Sequence, residues 1–231
     1  MSLFVLFGAD HLIALALAAA LAISLVRLVR QRPHSPLADH LRHGLACLLL
    51  LGVTAYLLIE ARADRLTLWD LLPLHLCDFL IFVAAHALVT RNRTSAELLY
   101  FWAGAGTLLA MLFPDLHRGF PSERFLLYFG FHGAVVAVTA LVVFGLGITP
   151  RPGAPNRVLA LTLAYAAVVG VVDAISGRNF LYLRGKPTVP TLLDWLGPWP
   201  YYIASCTLLA WLLYQLLSLP FRRIDYGSRA P

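Results

Sequence analysis

Residues 71–90 read LLPLHLCDFLIFVAAHALVT. The stretch has the length and apolarity of a membrane-spanning helix, for which about 20 residues are needed. Its first third, Pro73-Leu74-His75-Leu76-Cys77-Asp78, nevertheless holds a proline, an imidazole, a thiol and a carboxylate. Ionisable groups at that depth are costly in hydrocarbon. They therefore face a protein interior or a water-filled cavity and mark a functional site.

The rest of the chain supports a membrane setting. Of 231 residues, 60% are apolar and 13% charged, and the mean hydropathy is +0.76. A soluble domain of this size lacks the interior to hide so much apolar surface. Candidate spans lie near 9–30, 40–60, 71–90, 95–113, 124–147, 156–175 and 199–219. The expected fold is an all-α polytopic membrane protein, a bundle of about seven transmembrane helices forming a single domain over 1–231. The net charge of +6 is scattered at helix ends, where arginines fix orientation and meet lipid head groups, so it does not imply nucleic acid. Cys47, Cys77 and Cys206 sit in separate apolar segments without a CxxC pair, which implies neither a disulfide framework nor a zinc site. No cofactor is expected. No basic residue precedes the first apolar run, and that run is too long for a signal peptide, so it reads as a retained helix.

With seven spans, one side carries eleven Lys and Arg residues, including Arg27, Arg30, Arg32, Arg42 and the tail arginines. The other carries seven, from Arg62 to Lys186. The positive-inside rule then favours N-terminus out and C-terminus in, with 220–231 a cytoplasmic tail. The 176–198 connection lies outside. It is rich in aromatic and turn residues, among them Asn179, Phe180, Tyr182, Pro187, Trp195 and Gly197. This topology brings polar residues of several spans to one depth below the outer surface: His11, Glu60, His75, Cys77, Asp78, His132 and Asp173.

On a regular helix His75 and Asp78 share a face, whereas Cys77 lies about 160° from His75. If Cys77 is a nucleophile, its base should come from another helix, and His132 is the natural candidate. A thiolate attacks, and a nearby imidazole or helix N-terminus favours it. Bland readings stand beside the sharp one. Cys47 and Cys206 read as packing residues. His40 and His43 read as interfacial, His34 and His117 as loop residues, and Asp115 as a turn cap. Trp195, Trp199, Tyr201 and Tyr202 read first as an aromatic belt. A metal held by His75, Asp78 and His132 stays open.

The order and spacing of several motifs point further. They are Pro73-Leu-His75-Leu-Cys77-Asp78, Phe113-Pro114-Asp115-Leu116, His132-Gly133, Asn179-Phe-Leu-Tyr182-Leu, Leu192-Leu-Asp194 and Gly197-Pro198-Trp199-Pro200-Tyr201-Tyr202. Over about 70 to 205 the chain resembles YwaF-type bacterial membrane proteins and, more remotely, the eukaryotic transmembrane protein 164 family. Phe180 stands where that pattern has a tyrosine. The eukaryotic relatives are cysteine-dependent acyltransferases acting on phospholipids. The resemblance implies an acyl-thioester route in a bacterial cytoplasmic membrane, with lipids as partners, Cys77 matching the nucleophile and His132 the base. Within that route, side-chain type and depth nominate Asn179 or Tyr182 as oxyanion donor and Asp173 or Asp78 to orient an imidazole. They nominate Arg178, Arg184 or Lys186 for a lipid phosphate, with Trp199 and Tyr202 as substrate contacts. The alternative class is a transporter or receptor-like protein whose polar cluster binds a solute without covalent chemistry.

Overall fold

The computed structural model describes residues 3–62, 67–187 and 191–222. Seven helices follow one another: α1 (Ala9–Arg30), α2 (Pro36–Arg62), α3 (Leu76–Thr90), α4 (Arg93–Leu112), α5 (Glu123–Gly145), α6 (Ala154–Ser176) and α7 (Tyr201–Arg222). Six are long and apolar enough to cross a membrane, and α3 is the exception. The described residues contain no strand beyond an isolated bridge between Leu3 and Arg118. The chain is an all-α, multi-pass membrane protein. Arg65, Arg223, Arg229 and most of the expected 220–231 tail lie outside the described residues.

The third span differs from the expected 71–90 helix. Leu68–Leu71 form a 3₁₀ turn, and the backbone then stays non-helical up to His75 (φ −68°, ψ 142°), the residue before α3. Proline accounts for the break. Pro73 has no N–H to continue a helix, and its ring drives the preceding residue out of helical geometry. The 15 residues of α3 rise about 22 Å, against a hydrocarbon thickness of about 30 Å. Non-helical backbone at such depth persists only where protein or a wet cavity satisfies it. Here the Tyr165 hydroxyl of α6 donates to Leu74 O at 3.0 Å, and Phe79 N–H donates to His75 O at 3.0 Å. Because His75 precedes the helix, its position is no longer governed by the helical wheel.

Helix α3 lies at the centre. Leu80, Ala84, Ala87 and Leu88 are fully buried, as are Leu99 and Phe101 of α4 and Val142 of α5. Leu12, Ile13 and Leu17 of α1, Leu48 and Leu51 of α2, and Val168, Val171 and Ile175 of α6 point outward. That is the pattern of helices bathed in lipid. Small residues set the closest approach. A Cβ placed on Gly133 of α5 would lie 3.2 Å from the Ala18 Cβ of α1. Gly133→Leu should therefore force the two helices apart and cost about 1–3 kcal/mol. The measurement is the thermal midpoint in detergent, with Gly133→Ala expected to fall between the variant and wild type.

Polar groups close the two ends of the bundle. At one end the Arg42 guanidinium donates to Leu88 O (2.8 Å) and Val89 O (2.7 Å), the free carbonyls that end α3. Arg91 reaches Asp39 at 3.0 Å, and Asn92 caps α4 by accepting from Ser95 N–H at 3.1 Å. Glu97 is buried at this end between Arg151 and Arg157. At the opposite end the N-terminal segment meets the α4–α5 connection through Phe4 N–H to His117 O (3.1 Å), and Arg178 reaches Thr67 (2.8 Å). The segment before α3 opens on this second end.

Candidate active site

The first turn of α3 carries Cys77 and Asp78 to the wall of a cavity of about 1060 Å³. Ligand cavities commonly measure about 300–1,000 Å³. Helices α2 to α5 all contribute. Val53, Leu57, Ile81, Phe82, Phe131 and Val135 supply apolar wall. His75, Cys77, Asp78, Thr107, Tyr128 and His132 supply polar groups to the same lining. Glu60, Asp115, His117, Arg118, Glu123 and Arg124 line the end nearest the connecting segments.

His132 presents one defined nitrogen. Its Nδ1–H donates to Tyr128 O, one turn back, at 2.8 Å. A carbonyl only accepts, so Nδ1 carries a proton and in the neutral ring Nε2 keeps its lone pair, as a general base requires. The Tyr128 ring stacks on the imidazole at 4.2 Å between centroids. Its hydroxyl donates to Ala110 O at 2.7 Å, tying α5 to α4. Tyr128 thus holds His132 by stacking and by its own carbonyl.

His75 sits under Phe180 (5.3 Å between rings) and Tyr182 (6.0 Å), and it faces Asp78 across the start of α3. These aromatics belong to the connection after α6, a fixed roof. Asp173 is fully buried at the end of α6, and its Oδ1 accepts from Phe180 N–H at 2.8 Å. Asn179 donates to Gly185 O and accepts from Arg184 N–H, both at 2.8 Å. Trp199 Nε1–H donates to Leu183 O at 2.9 Å, and the Tyr202 hydroxyl donates to Tyr182 O. These bonds hold Leu181 (φ 54°) and Tyr182 (φ 57°) in the left-handed region, which costs of order 1–3 kcal/mol per residue. Burial pushes the Tyr182 phenol up from its usual range, so the hydroxyl stays neutral.

A family model, that of the TMEM164 family, matches residues 6–218. The chain belongs to the TMEM164 family. No curated protein and no solved structure matches it.

In this TMEM164-family chain the fold brings His75, Cys77, Asp78, Glu60 and His132 to one cavity, from three helices and the segment before α3. Other nominated residues lie elsewhere. Asp173 and Asn179 do not line the cavity; they bond the roof. Tyr182 reaches His75 but not the cavity wall. Arg178 is engaged with Thr67, and Arg184 with Asp173 O and Arg178 O. Lys186 lies 3.7 Å from Asp194 and over the Tyr202 ring. Trp199 and Tyr202 act on roof carbonyls. The cavity's own guanidiniums are Arg118 and Arg124. Among the described residues no group of three or more His, Cys, Asp and Glu side chains is placed to hold a metal ion, the His75, Asp78 and His132 set included.

Thr107 and Tyr128 join the site without having been singled out in the sequence. Tyr128 carried a usable signal, since it lies four residues before His132 and so one turn away on the same face. His11 belongs to the structure rather than to the cavity. Its Nδ1 accepts from Phe7 N–H at 3.0 Å, and its Nε2–H donates to Met111 O at 2.8 Å. Both ring nitrogens are used. His11→Ala strands a buried carbonyl and should cost about 1–3 kcal/mol. A thermal melt checks this, with the alkylation rate of Cys77 expected to stay at the wild-type value.

Proposed function

We propose that this TMEM164-family protein is a membrane-embedded lipid acyltransferase or acyl-ester hydrolase that works through a Cys77 thioester. The observation that carries the reading is the shared cavity, where a thiol on α3 and a lone-pair imidazole nitrogen on α5 line one space beside an apolar wall. His132 Nε2 takes the Cys77 proton. The thiolate attacks the ester carbonyl carbon, a C–S bond forms, and the carbonyl π pair moves to oxygen. When the carbonyl re-forms, the C–O bond to the lipid alkoxide breaks, and the imidazolium returns its proton to that alkoxide. A second hydroxyl, from a lipid or water, reverses these steps and removes the acyl chain.

The apolar wall suits an acyl chain. Arg118 and Arg124, at the end where head groups lie, suit a phosphate. Arg178, Arg184 and Lys186 lie outside the cavity lining and bond within the roof or to its neighbours. The basic loops at the opposite end favour a cavity that opens to the outer leaflet, with the N-terminus out and the C-terminus in.

The experiment is lipid analysis of purified protein incubated with micelles of a defined diacyl phospholipid. Lysophospholipid, together with free fatty acid or newly acylated lipid, is the expected result. Lipid bound without redistribution of acyl chains would move the reading to the binding or transport class.

A further inference from the structure

The fourth helix contains a register change beside Cys77. Ala103–Thr107 forms a π-helical turn within α4, and Leu108 N–H donates to Ala103 O, five residues back. π turns commonly coincide with functional sites. Here the turn changes what one threonine does. Thr54, Thr90, Thr139, Thr162 and Thr207 each donate their hydroxyl to the carbonyl four residues earlier. Thr107, the last residue of the π turn, makes no such bond to Ala103 O, which accepts from Leu108 N–H. Thr107 is buried, lines the cavity, and has no hydrogen-bond partner among the described residues for its Oγ1. A buried unpaired hydroxyl costs about 1–3 kcal/mol. The Cys77 thiol lines the same cavity within interaction range of this hydroxyl.

We infer that Thr107 is a further catalytic residue, whose hydroxyl, freed by the π turn, donates a hydrogen bond to Cys77 when its sulfur carries negative charge. The inference rests on the nucleophilic role of Cys77. A hydrogen bond to a charged group is stronger than one to a neutral group. The donor left idle in the thiol state therefore acts where charge develops, the differential interaction that accelerates a reaction. The titratable groups within electrostatic reach of Cys77 are Asp78 on α3, Tyr128 on α5 and Tyr182 in the roof. His75, Asp115 and His132 line the same cavity. All are retained in the variants below.

The test reads the thiolate directly and needs no lipid substrate. Cys47 and Cys206, the only other cysteines, are replaced by alanine, and N-ethylmaleimide labelling of Cys77 is followed from pH 6 to 10. Thr107→Val, an isostere without the donor, is expected to slow labelling about tenfold at each fixed pH. Thr107→Ser is expected to restore the rate. Size-exclusion profiles and melting curves confirm that each variant is folded, and Thr107→Ala serves as donor-free substitute if valine is not accommodated. A labelling profile of the donor-free variant that matches wild type would overturn the inference. So would serine behaving like valine. Absence of acyl transfer in wild type would instead count against the thioester reading and leave these profiles unchanged.

Discussion

Cys77→Ala is expected to abolish acyl redistribution, and His132→Gln to reduce it by about 10²–10⁴-fold, the range for loss of a positioned general base. Alanine removes the only atom in the cavity wall that can hold an acyl chain as a thioester. Glutamine keeps a polar side chain of similar reach but cannot take a proton. The double variant should be no slower than Cys77→Ala alone, because groups that act as a unit are not additive. Cys77→Ser separates the two classes of function. Serine lacks a thiolate, so the thioester reading predicts a loss close to that of alanine, whereas a binding or transport site would tolerate it. Lipid analysis of the four variants and wild type at matched concentration decides this. Cys77→Ala retaining wild-type turnover would eliminate the mechanism.

The largest effect on stability is expected at the opposite end of the bundle. Glu97 is 1% exposed, and its two oxygens accept from Arg151 N–H (3.0 Å), Arg151 Nε (2.8 Å) and Nη2 (2.9 Å), and Arg157 Nε (2.9 Å) and Nη2 (3.0 Å). This carboxylate fastens α4 to the α5–α6 connection and to α6. Removing one partner of a buried ion pair leaves the remaining charge uncompensated and costs about 3–5 kcal/mol. The two guanidinium side chains are more than one-third exposed and can turn partly to water, so about 3 kcal/mol is expected for Glu97→Leu. Arg157→Leu should cost less, since Glu97 keeps all its bonds to Arg151. Melting curves in one detergent would show the order wild type, Arg157→Leu, Glu97→Leu. Equal midpoints for wild type and Glu97→Leu would refute the account of this end.

Much of the architecture was legible because hydrophobic length is a strong signal in a membrane. α1 begins and ends where its apolar run does, and the other long spans differ from expectation by a few residues at their ends. The third span failed at its start because an apolar pattern does not distinguish a helix from an extended strand, and Pro73 settled the matter locally. The agreement in depth among His75, Cys77, Asp78, Glu60 and His132 was readable from topology, and these residues do share a cavity. His11 and Asp173, expected at the same depth, bond to backbone instead, a distinction that side-chain type cannot make. The aromatic and basic residues after α6 suggested substrate contacts. They prove to hold the roof, since a loop with two consecutive left-handed residues needs several bonds to stay in place. Thr107 was silent in the sequence, because its role depends on a π turn that Ala-Gly-Ala-Gly-Thr permits but does not announce.

Intact-mass spectrometry of the detergent-purified protein, incubated with its native lipids and set beside Cys77→Ala, tests the thioester most directly. The account predicts a mass increase of one fatty-acyl group on the wild-type chain, removed by neutral hydroxylamine and absent from the variant. An acyl adduct of equal abundance on Cys77→Ala, or a wild-type chain that turns over lipid with an adduct resistant to hydroxylamine, would contradict it.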